Sequence, residues 1–431
     1  MGQPFPPTKL ASPAASRRAT PRRWWPVLLS VFAFFAVVGI IVVFGVLPVV
    51  LKQQCIAAAA SQGVTLTIDH VAIGPGDVRL MNVGIALEGV PQMKATAESM
   101  QVALVGFTPG AAAVNGLAMT LDGPLEDLQK AMAAWSAARA RATTATSAAN
   151  AKPVTWALGN LTWTRAFGQT AKIEMSNLEG ELDPSKGTSR MSSDHAMVTA
   201  GKATFGPWRV AVERDAQTAR VDVELDPVVK GGPSVVFVRD ASNATSLKVS
   251  VPTSPLSRIG VPAKSVGLAA DSSVEADLDF EEARTGAATL KGTVALTRAV
   301  FSGLPIDAKL TLAAAGDATK GLDVKQGTLA VGPLNASVTG TVKLFDDGIR
   351  LALAWRSTPV SCAQIGKQMA TQALGQLGGQ LGSLVTDLGG AIGVRVAGEA
   401  SASGLITLDS RDVSAASFTL TANDTCGLAL F

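Results

Sequence analysis

The stretch Val274–Phe280 reads VEADLDF: Val274, Ala276, Leu278 and Phe280 alternate with Glu275, Asp277 and Asp279. Successive side chains of an extended chain point to opposite faces. The segment is therefore a strand with one apolar and one charged face. Upstream, the same period of two runs through Val64, Leu66 and Ile68, through Val83, Ile85 and Leu87, and through Val102 with Leu104. It recurs at Leu117, Met119 and Leu121, at Val154, Trp156 and Leu158, and at Val221, Val223 and Leu225 opposite Asp222, Glu224 and Asp226. Downstream come Ile306, Ala308, Leu310 and Leu312, then Leu334, Ala336, Val338, Val342 and Leu344 in phase, then Leu351, Leu353 and Trp355. Terminal strands are predicted over Val394–Val396, Leu405–Leu408, Phe418–Leu420 and Leu428–Leu430. The connections are short, which predicts an antiparallel meander of about 16 strands, roughly 75 Å long at about 4.8 Å per strand.

Two segments break the rhythm. Over 124–151, Leu125, Leu128, Met132 and Trp135 recur at helical spacing, and a low-complexity TTATSAANA linker follows. Over 361–391, Ile365, Met369, Leu377, Leu381, Leu384 and Leu388 share one helical face. Glycines at 375, 378, 379, 382, 389 and 390 weaken that helix by about 1 kcal/mol each relative to Ala, so it needs a surface to lean on. The blocks of strands are then 52–123, 152–360 and 392–431.

The N-terminus reads differently. Residues 1–23 are rich in Pro, Ser, Ala and Arg and are expected to be a disordered cytoplasmic tail. From 24 to 51 no side chain is charged, which is long enough for one transmembrane helix. Trp24 and Trp25 suit the membrane interface, and Arg22 and Arg23 beside them put the N-terminus in the cytoplasm. A cleaved signal peptide is the alternative, with Ala58 and Ala60 offering a cleavage site, but a signal core is shorter, about 7–15 residues. A short helix should continue past the membrane from Ile56 to Gln62. The fold class expected is thus mainly β: an elongated, curved antiparallel sheet or β-groove with two accessory helices, preceded by one transmembrane helix.

The chain has 37 Lys and Arg against 34 Asp and Glu, for a net charge of +3. Six of the basic residues and none of the acidic ones lie in residues 1–52, so the remainder is mildly acidic. Such a domain has no electrostatic footprint for nucleic acid. An exported chain lies in an oxidising compartment, where Cys362 and Cys426 can form a disulfide; two free buried thiols are the alternative. His70 and His195 have no metal-spaced partners, and no nucleophile elbow, phosphate loop or dinucleotide fingerprint occurs. The acidic rows at 222–226 and 275–279 follow strand alternation and read as a solvated face. No catalytic, metal or cofactor site is expected.

The apolar face must be buried by a second sheet, by closure, or by lipid. The candidate groove residues are Val274, Leu278, Phe280, Leu310, Leu312, Val338, Val342, Leu351 and Leu353.

An anchor followed at once by a strand, then GDVRLMNVGIAL (76–87), KATAESMQVAL (94–104) and KQGTLAVGPLNASVTGTVKL (325–344), resembles the AsmA-like group of bacterial envelope proteins. That resemblance implies a long β-groove with an apolar interior, held in the bacterial inner membrane with its bulk in the periplasm, and concerned with lipid and the outer membrane. The chain is short for that group, and its Gly-rich segment has no match there. A second resemblance, to the type II secretion protein N, implies a structural accessory of a secretion or envelope-assembly complex. Neither carries over a catalytic residue.

Overall fold

The computed structural model describes residues 47–105, 108–140, 152–166, 171–242, 244–266, 268–301, 304–332, 334–345, 348–364, 394–409, 417–419 and 421–430. Residues 1–46, which hold Arg22, Arg23, Trp24, Trp25 and most of the expected membrane segment, lie outside this set, as does nearly all of the Gly-rich segment. Among the described residues no helix is long and apolar enough to cross a membrane.

The chain opens on α1 (Leu47–Ser61) and then runs as strands: β1 (Val64–Ile73), β2 (Asp77–Leu87), β3 (Val90–Val105) and β4 (Thr108–Asp122). Helix α2 (Leu125–Ala140) interrupts them. Strands resume with β5 (Val154–Thr164), β6 (Ala171–Asp183), β7 (Thr188–Ala200), β8 (Ala203–Arg214), β9 (Thr218–Glu224), β10 (Ser234–Asp240) and β11 (Thr245–Pro255). A single 3₁₀ turn (Ala263–Val266) precedes β12 (Ser273–Glu282), β13 (Ala287–Phe301), β14 (Leu304–Asp317), β15 (Gly321–Val331), β16 (Leu334–Phe345), β17 (Gly348–Ser357) and β18 (Val360–Ser361). The chain closes with β19 (Val394–Ala397), β20 (Glu399–Asp409), β21 (Ser417–Phe418), β22 (Thr421–Asp424) and β23 (Gly427–Leu430).

Twenty-one of these strands form one long, open, curved sheet. Each strand up to β17 pairs with its neighbours in sequence, and β17 then pairs with β20. At about 4.8 Å per strand the stack extends roughly 85 Å. That is longer than the sequence predicts, because some strands, β7 among them, lack a clean run of alternation. In β7, TSRMSSDHAMVTA, inward positions are filled by Ser193 and Ala196.

The meander is not wholly antiparallel. β4 and β5 pair in parallel, Ala112 beside Val154 through Asp122 beside Thr164. The 16 residues of α2 carry the chain back to the edge where β4 began. A parallel pair needs such a crossover, which a tight turn cannot supply. The helix and linker therefore do not divide the sheet.

Both helices cover the first strands. Leu51, Cys55 and Ile56 of α1 pack on Ile68, Val71, Val78, Leu80, Val83, Ala97 and Val114. Leu128 of α2 packs on Leu121, Leu161 and Leu178, and Trp135 Nε1 donates to the Gly63 carbonyl at 3.2 Å. The helix expected to continue through Ile56 to Gln62 is present as Leu47–Ser61, and Leu51 is part of the packed domain.

A line of irregular residues crosses the first seven strands. Inward side chains normally sit two apart, yet they step by three at Ile68/Val71, Leu80/Val83, Ala97/Met100, Val114/Leu117 and Met175/Leu178. Between them lie Asn82 (φ 50°), Gly116 (φ 63°), Leu158 (φ 55°) and Asn177 (φ 53°), each about midway along its strand. The registers align them: Asn82 falls opposite Glu98, Glu98 opposite Gly116, and Gly116 abreast of Leu158. Asn177 Nδ2 donates to Asp194 Oδ1 at 3.1 Å. Pairing stays one to one across this row in β1–β4, so the alternation of faces slips by one residue at the same level in each strand and marks a crease across the sheet. Apolar residues from both sides of this crease share one cluster.

At the far end, Cys362 and Cys426 form a disulfide, with Cα atoms 5.7 Å apart. It passes over Gly398 (φ 103°), where a Cβ would strike the Thr425 carbonyl. β19 and β23 pair Ala397 with Gly427, continuing the register in which β20 and β22 pair Ala400 with Asp424. The small two-stranded sheet is therefore the same ladder prolonged past the Gly398 kink.

Gly and Asn adopt the left-handed conformation readily, but a branched apolar side chain does so at a cost of about 1–2 kcal/mol. Leu158 is 67% exposed, so packing returns little. Leu158→Asn should raise stability by about 0.5–1 kcal/mol. A lowered urea midpoint would show that the leucine is held there by contacts instead.

Candidate functional site

The feature with the greatest extent is the apolar face of β12–β20. Phe280, Leu312, Val338, Val342 and Leu353 are buried members of one cluster, together with Leu322, Leu329 and Trp355. Leu310 and Leu351 are half-buried and pack against it. Leu278 lies on the same face by alternation and is half-buried. Val274 packs instead with Leu256, Ile259 and Ala263, a separate cluster beneath the long β11–β12 connection. The nine residues thus fall on one face but not in one cluster.

Glycines govern how these side chains lie, and no periodicity marks them. Leu278 is opposite Gly292, Gly292 is opposite Leu312, and Leu312 is opposite Gly327. A Cβ on Gly292 would come 2.5 Å from Leu278 Cδ2, and one on Gly327 2.8 Å from Val338 Cβ. Gly404 gives way to Trp355 in the same manner, and Gly180 to Trp156. A concave face crowds its side chains. Placing glycine beside each bulky residue lets it lie flat across the neighbouring strand.

The other face is polar. Glu275, Asp277, Asp279 and Glu281 project from it, with Asp279 opposite both Lys248 and Lys291. Arg220 pairs with Asp222 at 2.7 Å and Arg209 with Glu224 at 3.0 Å. His70 and His195 are exposed on strands β1 and β7. Among the described residues no group of three His, Cys, Asp or Glu is placed to hold a metal ion. Burial pushes the Cys55 thiol up, away from the reactive thiolate.

The rim that carries the β6–β7, β8–β9, β10–β11 and β14–β15 turns is built on aspartates. DPSKG at 183–187 and DATKG at 317–321 are near-repeats of one turn. Asp317 Oδ1 accepts from the Thr319 and Lys320 amides at 3.0 and 3.2 Å, and Asp183 Oδ1 from the Ser185 and Lys186 amides at 3.1 and 3.3 Å. Hydrogen bonds from Lys186 and Ser185 hold the Asp183 carboxyl down to about 2. Asp215, Asp240 and Asp317 are lowered chiefly by their own turn donors, Gln217, Ser242 and Thr319. These are register-setting groups, and the recurring Asp-x-Ser/Thr-Lys-Gly was the signal in the sequence.

No family model, curated protein or solved structure matches this chain.

Leu353 is 1% exposed, so Leu353→Asp buries a charge with no partner and should cost about 4 kcal/mol or more, if the chain folds at all. Glu275→Lys, on the wet face, should stay within about 1 kcal/mol. Equal shifts in chemical denaturation would overturn the face assignment. Acid should act at the rim. The four aspartates have native pKa values below their unfolded ones, so their contribution is complete above about pH 4 and disappears as pH falls toward 2. Asp183→Asn should flatten the fall in stability between pH 4 and 2 in an acid titration followed by circular dichroism.

Proposed function

We propose that this chain is a membrane-tethered trough for lipid in the bacterial envelope, its bulk in the periplasm. The observation that supports it is an apolar face that continues along an open sheet instead of closing on itself. Among the described residues β1 pairs with β2 alone, and β21 and β22 pair with β20 alone. The first strands have α1 and α2 over their apolar face, whereas no described helix packs on the β12–β20 cluster. Half-buried Leu278, Leu310 and Leu351 there suit contact with acyl chains, each methylene of which gains about 0.8 kcal/mol on leaving water. Flat-lying side chains over glycine make a smooth floor without fixed polar contacts. Such a surface suits a sliding apolar ligand better than a single oriented substrate. The uncharged N-terminal stretch supplies the tether, and the resemblance to AsmA-like proteins agrees with this reading. No reacting group is assigned, so the chain is not proposed as an enzyme.

Native mass spectrometry of the full chain, released from mild detergent, should find phospholipid bound in excess of that on Leu310→Glu. That variant places a charge on the half-buried floor and should cut lipid occupancy several-fold while leaving the fold intact by circular dichroism. A lipid-free wild-type chain would exclude the trough and favour a structural accessory of an envelope or secretion complex.

A further inference from the structure

The rim opposite the aspartate turns carries a different chemistry. There the β9–β10 connection, Asp226-Pro-Val-Val-Lys-Gly-Gly-Pro233, raises Val228 to 88% exposure, with Val229 at 37%. No other large apolar side chain among the described residues is so exposed. The tip is built, not loose. The Val229 amide donates to the Asp226 carbonyl at 3.2 Å, the Gly232 amide to the Val229 carbonyl at 3.0 Å, and the Leu225 amide to the Pro233 carbonyl at 2.8 Å. Asp226 is itself buried, 2.5 Å from Arg258 Nε. Arg258 belongs to the long β11–β12 connection, whose Leu256, Ile259 and Ala263 pack with Leu225 under the tip. The Trp208 indole donates to the Ile259 carbonyl at 2.8 Å and fixes that support to β8.

Charge on this stretch of rim is one-sided. The three connections 201–202, 225–233 and 256–272 hold Lys202, Asp226, Lys230, Arg258, Lys264 and Asp271. Both aspartates are consumed in ion pairs, Asp226 with Arg258 and Asp271 with Arg298 at 2.6 Å. Lys202, Lys230 and Lys264 remain exposed and in no ion pair among the described residues. We propose that the β9–β10 tip and these three lysines are a contact site for the surface of an anionic phospholipid bilayer, Val228 and Val229 entering the headgroup layer while the lysines meet the phosphates. An exposed apolar point on a rim whose lysines are in no ion pair among the described residues is complementary to that surface on both counts. The inference does not depend on what the trough carries.

The test uses the full chain in a Cys55→Ala background, with Val228→Cys labelled by a polarity-sensitive fluorophore and reconstituted into vesicles. Phosphatidylcholine vesicles are compared with vesicles that also contain phosphatidylglycerol. The label should shift to the blue and become quenchable by spin-labelled lipid only in the anionic vesicles. Each lysine should contribute about fivefold to the ratio of immersed to exposed label, so Lys202→Glu, Lys230→Glu and Lys264→Glu together should lower it by about a hundredfold or more. Ala216→Cys on the aspartate rim, labelled alike, should keep emission typical of water. Water-like emission from position 228 in both vesicles would overturn the proposal and assign the tip to a protein partner. A shift indifferent to lipid charge, or one shared by position 216, would overturn it as well.

Discussion

Everything in this molecule depends on how backbone hydrogen bonds are met. Up to β17 each strand finds its partners in the strands just before and after it, so the ladder lengthens one strand at a time, and among the described residues no pair closes it. Side chains then have only two places to go, and most of the large apolar ones are committed to one face. An open sheet built this way has no second layer to bury that face. Curvature, two helices at the beginning, and side chains lying flat over glycines do so instead.

The crease and the glycines solve related problems. The aligned row in β1–β7 shifts the alternation, and apolar residues from both sides of it share one cluster. Further along, the sheet has continuous inward runs such as Val274 to Phe280, and its register breaks locally, at Leu296/Ala299, Ala313/Ala314 and Asp323/Thr328. There the crowding is relieved by missing side chains at Gly292 and Gly327.

The two rims are chemically distinct because their turns are. On one, aspartates accept the amides of their own turns and fix strand register at a place where no core can. On the other, longer connections carry apolar and cationic residues and a small cluster of their own beneath them. With the dry face between them, the molecule presents three surfaces of different character along one axis.

Much of this was written in the residues. VEADLDF could only be a two-faced strand, and the nine candidate groove positions do lie on one face, since parity along a strand is a local property. The thiols at 362 and 426 were also a fair inference from compartment and number. Parity, however, slips where the aligned row crosses a strand, as in β7, where Ser193 and Ala196 take the inward positions and the run of alternation is broken. Whether β5 ran parallel or antiparallel to β4 depended on where α2 delivered the chain. That Gly292 makes room for Leu278 and Gly327 for Val338 could be seen only once the register had set them side by side. The alternation of a strand is determined by its own dihedral angles; which strands touch, in which direction, and how far the sheet bends are determined by contacts between residues far apart in the chain.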